Sequence, residues 1–207
     1  MYKKILTKIH PNDNLDELFE LHKKLNPENN GNQATFQDFK PNYTNQADIL
    51  YLPTAKYGYK YLLVVVDDCT RKFDAYPLKT ESSQAVLNGF KKIYESSKYV
   101  KLPKILEFDA GTAFHGVVEQ YFNDLGIHIR YATTNRHRMQ ALVEAKNQLI
   151  GNVIFHILNA KELKDLNQGI KKASVDWYKS KEDFEQLIDV MNEHQTFKPL
   201  KTSSNKN

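Results

Sequence analysis

The chain has 207 residues, of which 41% are hydrophobic, and it carries a formal net charge of +4. That hydrophobic fraction is enough for a core and too high for a wholly disordered chain. The longest purely apolar run covers residues 61–66, which excludes a membrane-spanning segment, and the N-terminus lacks the apolar core of a signal peptide. The single cysteine, Cys69, excludes a disulfide framework within the chain and a cysteine-based zinc finger. We expect an intracellular protein with one sizeable domain and appendages.

The N-terminal residues 1–40 are predicted to form a helical segment followed by a linker. The stretch NDNLDELFELHKKL offers Asn and Asp caps and then apolar residues at helical spacing, and the sequence after it is rich in Asn, Pro and Gly. Residues 41–200 are predicted to form the main domain, and residues 201–207 a disordered tail.

The main domain shows three strand patterns in succession and then an alternation of helix and strand patterns. The strands are predicted at 47–53, 59–68, 72–79, 103–108 and 127–132. The helices are predicted at 81–98, 117–126, 141–159 and 180–195, and Ser180 with Asp183 can form a capping box at the start of the last one. The order β-β-β-α-β-α-β-α-α predicts an α/β fold with a mixed five-stranded sheet flanked by helices.

Three carboxylates lie on three different predicted elements. Asp48 lies in the first strand, Asp109 ends the fourth strand, and Glu144 lies in the first turns of the long helix. If they converge, a set of oxygen ligands favours a hard cation such as Mg²⁺ or Mn²⁺, and two such ions ~3.5–4 Å apart can support an in-line phosphoryl displacement. Because the chain has 25 acidic residues, chance triplets are common, and convergence is a hypothesis that only the tertiary structure can support.

A basic stretch lies next to Glu144. Between residues 130 and 160 there are four basic residues, Arg130, Arg136, Arg138 and Lys146, against this one acidic residue. Such a stretch is either a phosphate-facing patch or a solvated loop with several arginines, and charge alone does not separate the two. The first alternative makes these four residues candidate DNA contacts.

Five stretches resemble, in the expected order, the catalytic core of retroviral-type integrases, which is the acidic-triad branch of the RNase H-like fold. They are NQADILYLP, GYKYLLVVVDDCTRKFDAYPLKTES, ILEFDAGTAF, QALVEAKNQLI and FEQLIDVMNEHQTFKP. The resemblance covers about residues 43–200, and within the group the chain is most similar in appearance to integrases of Polinton or Maverick elements and related viruses.

The resemblance implies a DNA integrase that carries out 3′-end processing and strand transfer. Asp48, Asp109 and Glu144 would be its catalytic residues and the ligands of Mg²⁺ or Mn²⁺, with two ions expected when DNA is bound. Asn147 and Gln148, which share a helix face with Glu144, would be further DNA contacts. The family also implies a homodimer or higher homo-oligomer, no membrane partner, and a location in the nucleus or at a viral replication site.

Some positions depart from the family pattern. Ala110, Ala113 and Gly151 replace residues that usually assist the site or DNA binding, which predicts slow turnover. A catalytically decayed DNA-binding or assembly module is the alternative function, and a simple metal-dependent nuclease is a third. No phosphate-binding loop of the G-x-x-x-x-G-K-[ST] type is present, which disfavours an NTPase. Asp68 and Trp177 are interpreted as structural, and Cys69 as a buried small residue.

Overall fold

The computed structural model describes residues 40–55, 57–132, 141–167 and 176–193, with side chains described up to residue 159 in the third range. The predicted N-terminal helical segment and the tail lie outside the described residues. The strands are β1 (Thr44–Tyr51), β2 (Tyr61–Asp67), β3 (Phe73–Leu78), β4 (Ile105–Phe108) and β5 (His128–Tyr131). The helices are α1 (Ser83–Ser96), α2 (Val117–Asp124), α3 (Ala141–Asn167) and α4 (Lys181–Glu193), with a short 3-10 turn at Thr112–Phe114.

The five strands form one mixed sheet in the order β3-β2-β1-β4-β5. The first three pair antiparallel, whereas β1 pairs parallel with β4, and β4 pairs parallel with β5. Parallel neighbours need a long crossover connection, and α1 and α2 provide it. The predicted α/β architecture with a mixed five-stranded sheet is therefore confirmed.

The tight turn between β2 and β3 explains the two aspartates that end β2. The Asp67 carboxylate accepts hydrogen bonds from the backbone N–H groups of Asn42 (2.8 Å) and Thr70 (3.0 Å). Asp68 forms an ion pair with Arg71 at 3.5 Å, and Arg71 has a positive φ of 62°. Both aspartates thus stabilise the turn, as was predicted for Asp68.

The core has two layers, one on each face of the sheet. Because successive strand residues point to opposite faces, Val64 and Val66 pack under α3 and α4, whereas Leu63 and Val65 pack under α1 and α2. All four side chains are completely buried. A strand covered on both faces needs an uninterrupted apolar sequence, which is the pattern of β2.

The open edge of the sheet at β3 is closed by side chains. Asn192 of α4 accepts a hydrogen bond from the Phe73 N–H (2.9 Å) and donates one to the Phe73 carbonyl (2.8 Å), as a neighbouring strand would. Asp74 accepts a hydrogen bond from the Ala75 N–H at 2.7 Å, and Pro77 has no N–H to offer. Such devices block edge-to-edge pairing with another chain.

Some predicted boundaries and environments differ from the structure. The long helix α3 continues to Asn167, beyond the predicted end at 159, and Cys69 is half-buried rather than buried. Trp177 is buried, donates a hydrogen bond to the Pro53 carbonyl at 2.6 Å and makes an edge-to-face contact with Phe184, in line with the predicted packing role. Within the described ranges no helix is both long and apolar enough to cross a membrane.

Candidate active site

The parallel pairing of β1 with β4 sets the position of two of the three carboxylates. Gln46 lies opposite Glu107 in the register, and Asp48 and Asp109 follow two residues later on each chain segment. Adjacent strands lie about 4.8 Å apart, and residues at the same register position share a face of the sheet. Asp48 and Asp109 therefore lie side by side on the face that α3 covers.

Asp48 is half-buried and is held by two hydrogen bonds. Its Oδ1 accepts from the Ile49 N–H at 2.7 Å, and its Oδ2 accepts from Asn147 Nδ2 at 2.7 Å. Burial raises the pKa of the Asp48 carboxyl from 3.8 to about 6, and repulsion from Asp109 and Glu144 adds to the increase, while the two hydrogen bonds oppose it. Both other predicted carboxylates thus lie near enough to Asp48 to act on it electrostatically.

The long helix α3 brings Glu144 towards the sheet. The Val143 N–H, in the first turn of α3, donates a hydrogen bond at 3.2 Å to Oε1 of Gln46, a side chain that is only 5% exposed. This bond satisfies an N-terminal N–H group that the helix leaves unpaired. Together with the bond from Asn147 to Asp48, it fixes the register of α3 on β1, which apolar contacts alone would leave free to slide.

The loop after Asp109 is shaped by a glycine and a phenylalanine. The Gly111 N–H donates to Asp109 Oδ1 at 3.0 Å, and a Cβ added at Gly111 would lie 2.8 Å from that same oxygen. Since the φ angle of Gly111 is −65°, the glycine provides room for the carboxylate rather than an unusual backbone turn. Phe114 stacks on Phe108 with ring centroids 4.6 Å apart, and burying such a ring contributes about 1.5–3 kcal/mol to holding the loop.

Two residues predicted as DNA contacts are buried instead. Asn147 is 8% exposed and donates to Asp48, and no donor among the described residues reaches its Oδ1. Lys146 is also 8% exposed, and its Nζ lies 5.7 Å from the centre of the Phe73 ring. Burial, and secondarily the Arg71 charge, lowers the pKa of Lys146 from 10.5 to about 8. Both side chains point towards the sheet, so that Asn147 orients Asp48 through a hydrogen bond and Lys146 is buried in the core.

The other predicted DNA contacts have different environments. Arg130 forms an ion pair with the buried Glu107 at 3.0 Å, and 44% of its side-chain surface remains exposed. Gln148 is exposed on α3. Arg136 and Arg138 lie outside the described residues. Arg130 and Gln148 therefore keep surface that a ligand could contact.

The three candidate side chains all offer carboxylate oxygens, which are the type of ligand that a hard cation prefers. Asp109 and Glu144 both repel the negative charge of Asp48, and a bound cation would neutralise this concentration of negative charge. In the part of the chain that the structure describes, however, no group of three or more His, Cys, Asp or Glu side chains is arranged so that it could hold a metal ion. The carboxylates thus lie near enough for their charges to interact, but not in ligand geometry.

Sequence reasoning missed the roles of Gln46 and Asn147 as supports of the site. For Gln46 a signal existed, because a polar residue two positions before Asp48 faces the same side of a strand whose other face is apolar. Asn147 carried a signal too, since it lies one helical turn after Glu144, but a helical position alone does not tell whether its side chain reaches DNA or a neighbouring carboxylate.

Residues 38–137 match the family model of the integrase core domain. Over 110 residues the chain is 33% identical to the Gag-Pol polyprotein of Avian reticuloendotheliosis virus, a match that covers 53% of this chain. The chain spans about a tenth of the length of the curated relatives it matches, with coverages of 9%, 6% and 11%.

Two solved structures show the same fold. A chain of the simian T-cell lymphotropic virus intasome, in complex with PP2A regulatory subunit B56 gamma, matches with a TM-score of 0.57 and 17% identity, covering 80% of this chain and 54% of that one. The HTLV-2 integrase catalytic core domain in complex with magnesium (trimeric form) matches with a TM-score of 0.52 and 19% identity, covering 77% of this chain and 90% of that one. The chain is therefore similar to the integrase core domain family over residues 38–137, and it shares the fold of retroviral integrase catalytic cores.

Proposed function

We propose that this core is the catalytic part of a DNA integrase, a polynucleotidyl transferase that processes 3′ ends and joins them to target DNA. The observation that supports the proposal is that Asp48 of β1 is repelled by two other carboxylates, Asp109 after the end of β4 and Glu144 near the start of α3. Carboxyl groups whose pKa is raised by burial and by neighbouring carboxylates cluster at functional sites.

Asp48, Asp109 and Glu144 would hold Mg²⁺ or Mn²⁺, with two ions when DNA is bound. When bound, the ions would polarise the phosphate and neutralise the charge that develops on it. The carboxylates are displayed on a sheet and a helix, which orient ligands better than loops do. The three carboxylates would have to move closer together than they are in the structure to coordinate the ions.

The reaction would proceed in two steps of the same type. In the first step, water attacks a phosphorus near the 3′ end of the DNA and the bond from phosphorus to the 3′ oxygen breaks, which leaves a free 3′-hydroxyl. In the second step, this hydroxyl attacks a phosphorus of target DNA and displaces the 3′ oxygen of the target strand. Asp48, Asp109 and Glu144 would position both reactions, and Asn147 would hold Asp48 in its orientation.

The experiment compares the full chain with the variant Asp109→Asn, which keeps the side-chain shape and removes the charge. With Mn²⁺ and DNA that carries the ends of the element, we expect nicking and joining by the wild type and neither by the variant. Asp124→Asn, an exposed aspartate at the end of α2, is the matched control and should keep activity. Equal activity of the wild type and Asp109→Asn would show that the site is assigned wrongly.

A second candidate function is a non-catalytic DNA-binding or assembly module with the same fold. It is favoured by the absence of ligand geometry among the carboxylates of the described residues and by Ala110 and Ala113 beside Asp109. A folded wild-type chain that binds DNA but neither cuts nor joins it with Mn²⁺ would support this function. Cutting without joining would support a simple nuclease.

We also propose that the core self-associates through α1 and α4, since joining two DNA ends requires more than one site. A groove of about 320 Å³ lies between these helices and β3, and it is lined by both apolar and charged side chains, including Tyr76, Lys92, Tyr99, Phe184, Glu185 and Ile188. Sedimentation at increasing concentration should show a dimer or larger species, and a monomer at all concentrations would contradict the proposal.

A further inference from the structure

Tyr51 is an exposed aromatic residue at the end of β1, three residues after Asp48. It is 64% exposed, more than any other large hydrophobic side chain in the part of the chain that the structure describes. Since β1 runs parallel to β4, its last residue lies at the same end of the sheet as Asp109. Tyr51 therefore stands at the rim of the candidate active site, at the end of the sheet near Asp109, with its side chain on the face that α1 and α2 cover rather than on the face of Asp48.

A chain of contacts connects Tyr51 with the loop that carries Asp109. The Tyr51 hydroxyl donates to Glu81 Oε2 at 2.5 Å, and Glu81 lies two residues before Ser83 at the start of α1. Ser83 Oγ donates to the carbonyl of Thr112, three residues after Asp109, at 3.3 Å. The hydrogen bond to Glu81 raises the pKa of Tyr51 to about 12, and the charges of Glu81 and Asp109 contribute as well, so the hydroxyl stays neutral at physiological pH.

The Tyr51 ring is exposed but held in place. Besides the bond to Glu81, it makes an edge-to-face contact with Tyr61, with ring centroids 5.2 Å apart and planes inclined at 75°. Such a contact uses at most one face of the Tyr51 ring. Lys60 Nζ lies 5.1 Å from the centre of the Tyr61 ring, which adds an exposed cation to the same rim.

These features favour a nucleobase over a phosphate as the ligand of Tyr51. The Glu81 carboxylate beside the hydroxyl repels a phosphate, whereas the open ring face offers the apolar, polarisable surface on which bases stack. Lys60 offers an ammonium group to the other of the two phosphates that flank such a base. A ring that is oriented in advance loses little freedom when a base stacks on it.

We propose that Tyr51 is a stacking site for an unpaired nucleobase of DNA whose adjoining phosphate lies at Asp109. The inference rests on the proposed function, because it takes DNA as the substrate of this core. It goes further by assigning a base-binding subsite to one residue and by expecting that ends with an unpaired base bind better than fully paired ends.

The test measures stacking without relying on catalysis. A DNA duplex carries the fluorescent base 2-aminopurine at an unpaired position next to its 3′ end, and the full chain is added in Ca²⁺ so that no cleavage is required. We expect the wild type to quench the fluorescence, since stacking on an aromatic ring changes the environment of this base. Tyr51→Ala should remove the quenching and weaken binding to the unpaired end about fivefold or more, the lower end of what one stacked base contributes.

Two further variants separate stacking from a structural role. Tyr51→Phe keeps the ring and loses the hydrogen bond to Glu81, so this variant should still quench the fluorescence. If the hydrogen bond to Glu81 only stabilised the loop, Tyr51→Phe would lose quenching as Tyr51→Ala does. Tyr43→Ala is the matched control, because Tyr43 is also exposed (39%) but precedes β1 at the opposite end of the strand.

The outcomes distinguish this inference from the proposed function. Wild-type quenching that persists in Tyr51→Ala, or quenching lost in Tyr51→Phe as well, would overturn the stacking site even if the protein cuts and joins DNA. Wild-type quenching that depends on the Tyr51 ring would support it even if no catalysis is found with Mn²⁺. If Tyr51→Ala fails to fold, Tyr51→Phe is used together with a photocrosslinking experiment on the wild type. In that experiment 5-iodouracil replaces the unpaired base, and absence of a crosslink to Tyr51 counts against the inference.

Discussion

Replacing Asp48 with asparagine should stabilise the protein when no metal is present. Since the folded-state pKa of Asp48, about 6, lies above its ordinary value of 3.8, the folded protein binds the proton more tightly than the unfolded chain. The stability that this carboxyl contributes is therefore fully present below pH 3.8 and is lost as the pH rises through about 6. The asparagine side chain introduced by Asp48→Asn does not ionise, and its amide can donate to Asn147 Oδ1, which no described donor reaches.

The size of the effect follows from the pKa. A difference of about 2 pH units corresponds to about 3 kcal/mol, as one pH unit is 1.36 kcal/mol. Because Asp48 is only half-buried, solvent screening reduces the value, and we expect Asp48→Asn to raise the free energy of unfolding by about 1–2 kcal/mol at pH 7.5. The gain should become smaller as the pH is lowered towards 4.

Urea unfolding in EDTA at a series of pH values measures this difference, with Asp124→Asn as the control that should change the stability little. Adding Mg²⁺ should then stabilise the wild type and not Asp48→Asn, because the same carboxyl that is destabilising alone is needed by the ion. A gain that is independent of pH, or no gain at pH 7.5, would refute the electrostatic reasoning. Equal stabilisation of both proteins by Mg²⁺ would remove Asp48 from the metal site.

Three further predictions concern the surroundings of the site. Lys146→Met should raise the free energy of unfolding by about 1–3 kcal/mol at pH 7, since it removes a buried ammonium whose pKa is lowered to about 8. In the wild type the cost of burying this ammonium declines as the pH rises from about 8 to 10.5. Thermal unfolding that shows no gain in the variant would contradict the buried placement of Lys146. Gly111→Ala should reduce Mn²⁺-dependent activity severalfold while circular dichroism stays unchanged, because the new Cβ would displace the Asp109 carboxylate; Gly151→Ala, where a Cβ meets nothing within 4 Å, is the control. DNA binding by the full chain should be weak, independent of sequence and steeply dependent on salt, and an affinity that is equal at about 50 and about 200 mM salt, measured by fluorescence anisotropy, would argue against phosphate contacts.

The sequence predicted the elements of the fold with errors at their ends. Strands with an uninterrupted or alternating apolar pattern, such as β2 and β3, were found where that pattern lies. The long helix α3 extends beyond its predicted end, because a run of lysine and polar residues does not mark a stop as Gly126 does after α2. The start of α4 followed its signal, since the Asp183 N–H donates to Ser180 Oγ at 3.1 Å.

The sequence by itself determined which residue types could form the site and the order in which they occur. Asp48, Asp109 and Glu144 are separated by 60 and 34 residues, so local periodicity could not tell whether they meet. The tertiary structure decided that through the parallel register of β1 and β4 and through the bonds that α3 makes with β1. The direction of each side chain was decided there as well: Asn147 and Lys146 turn towards the sheet, whereas Tyr51 turns to the solvent, because the covering helix buries one stripe of residues and the end of a strand leaves its last ring uncovered.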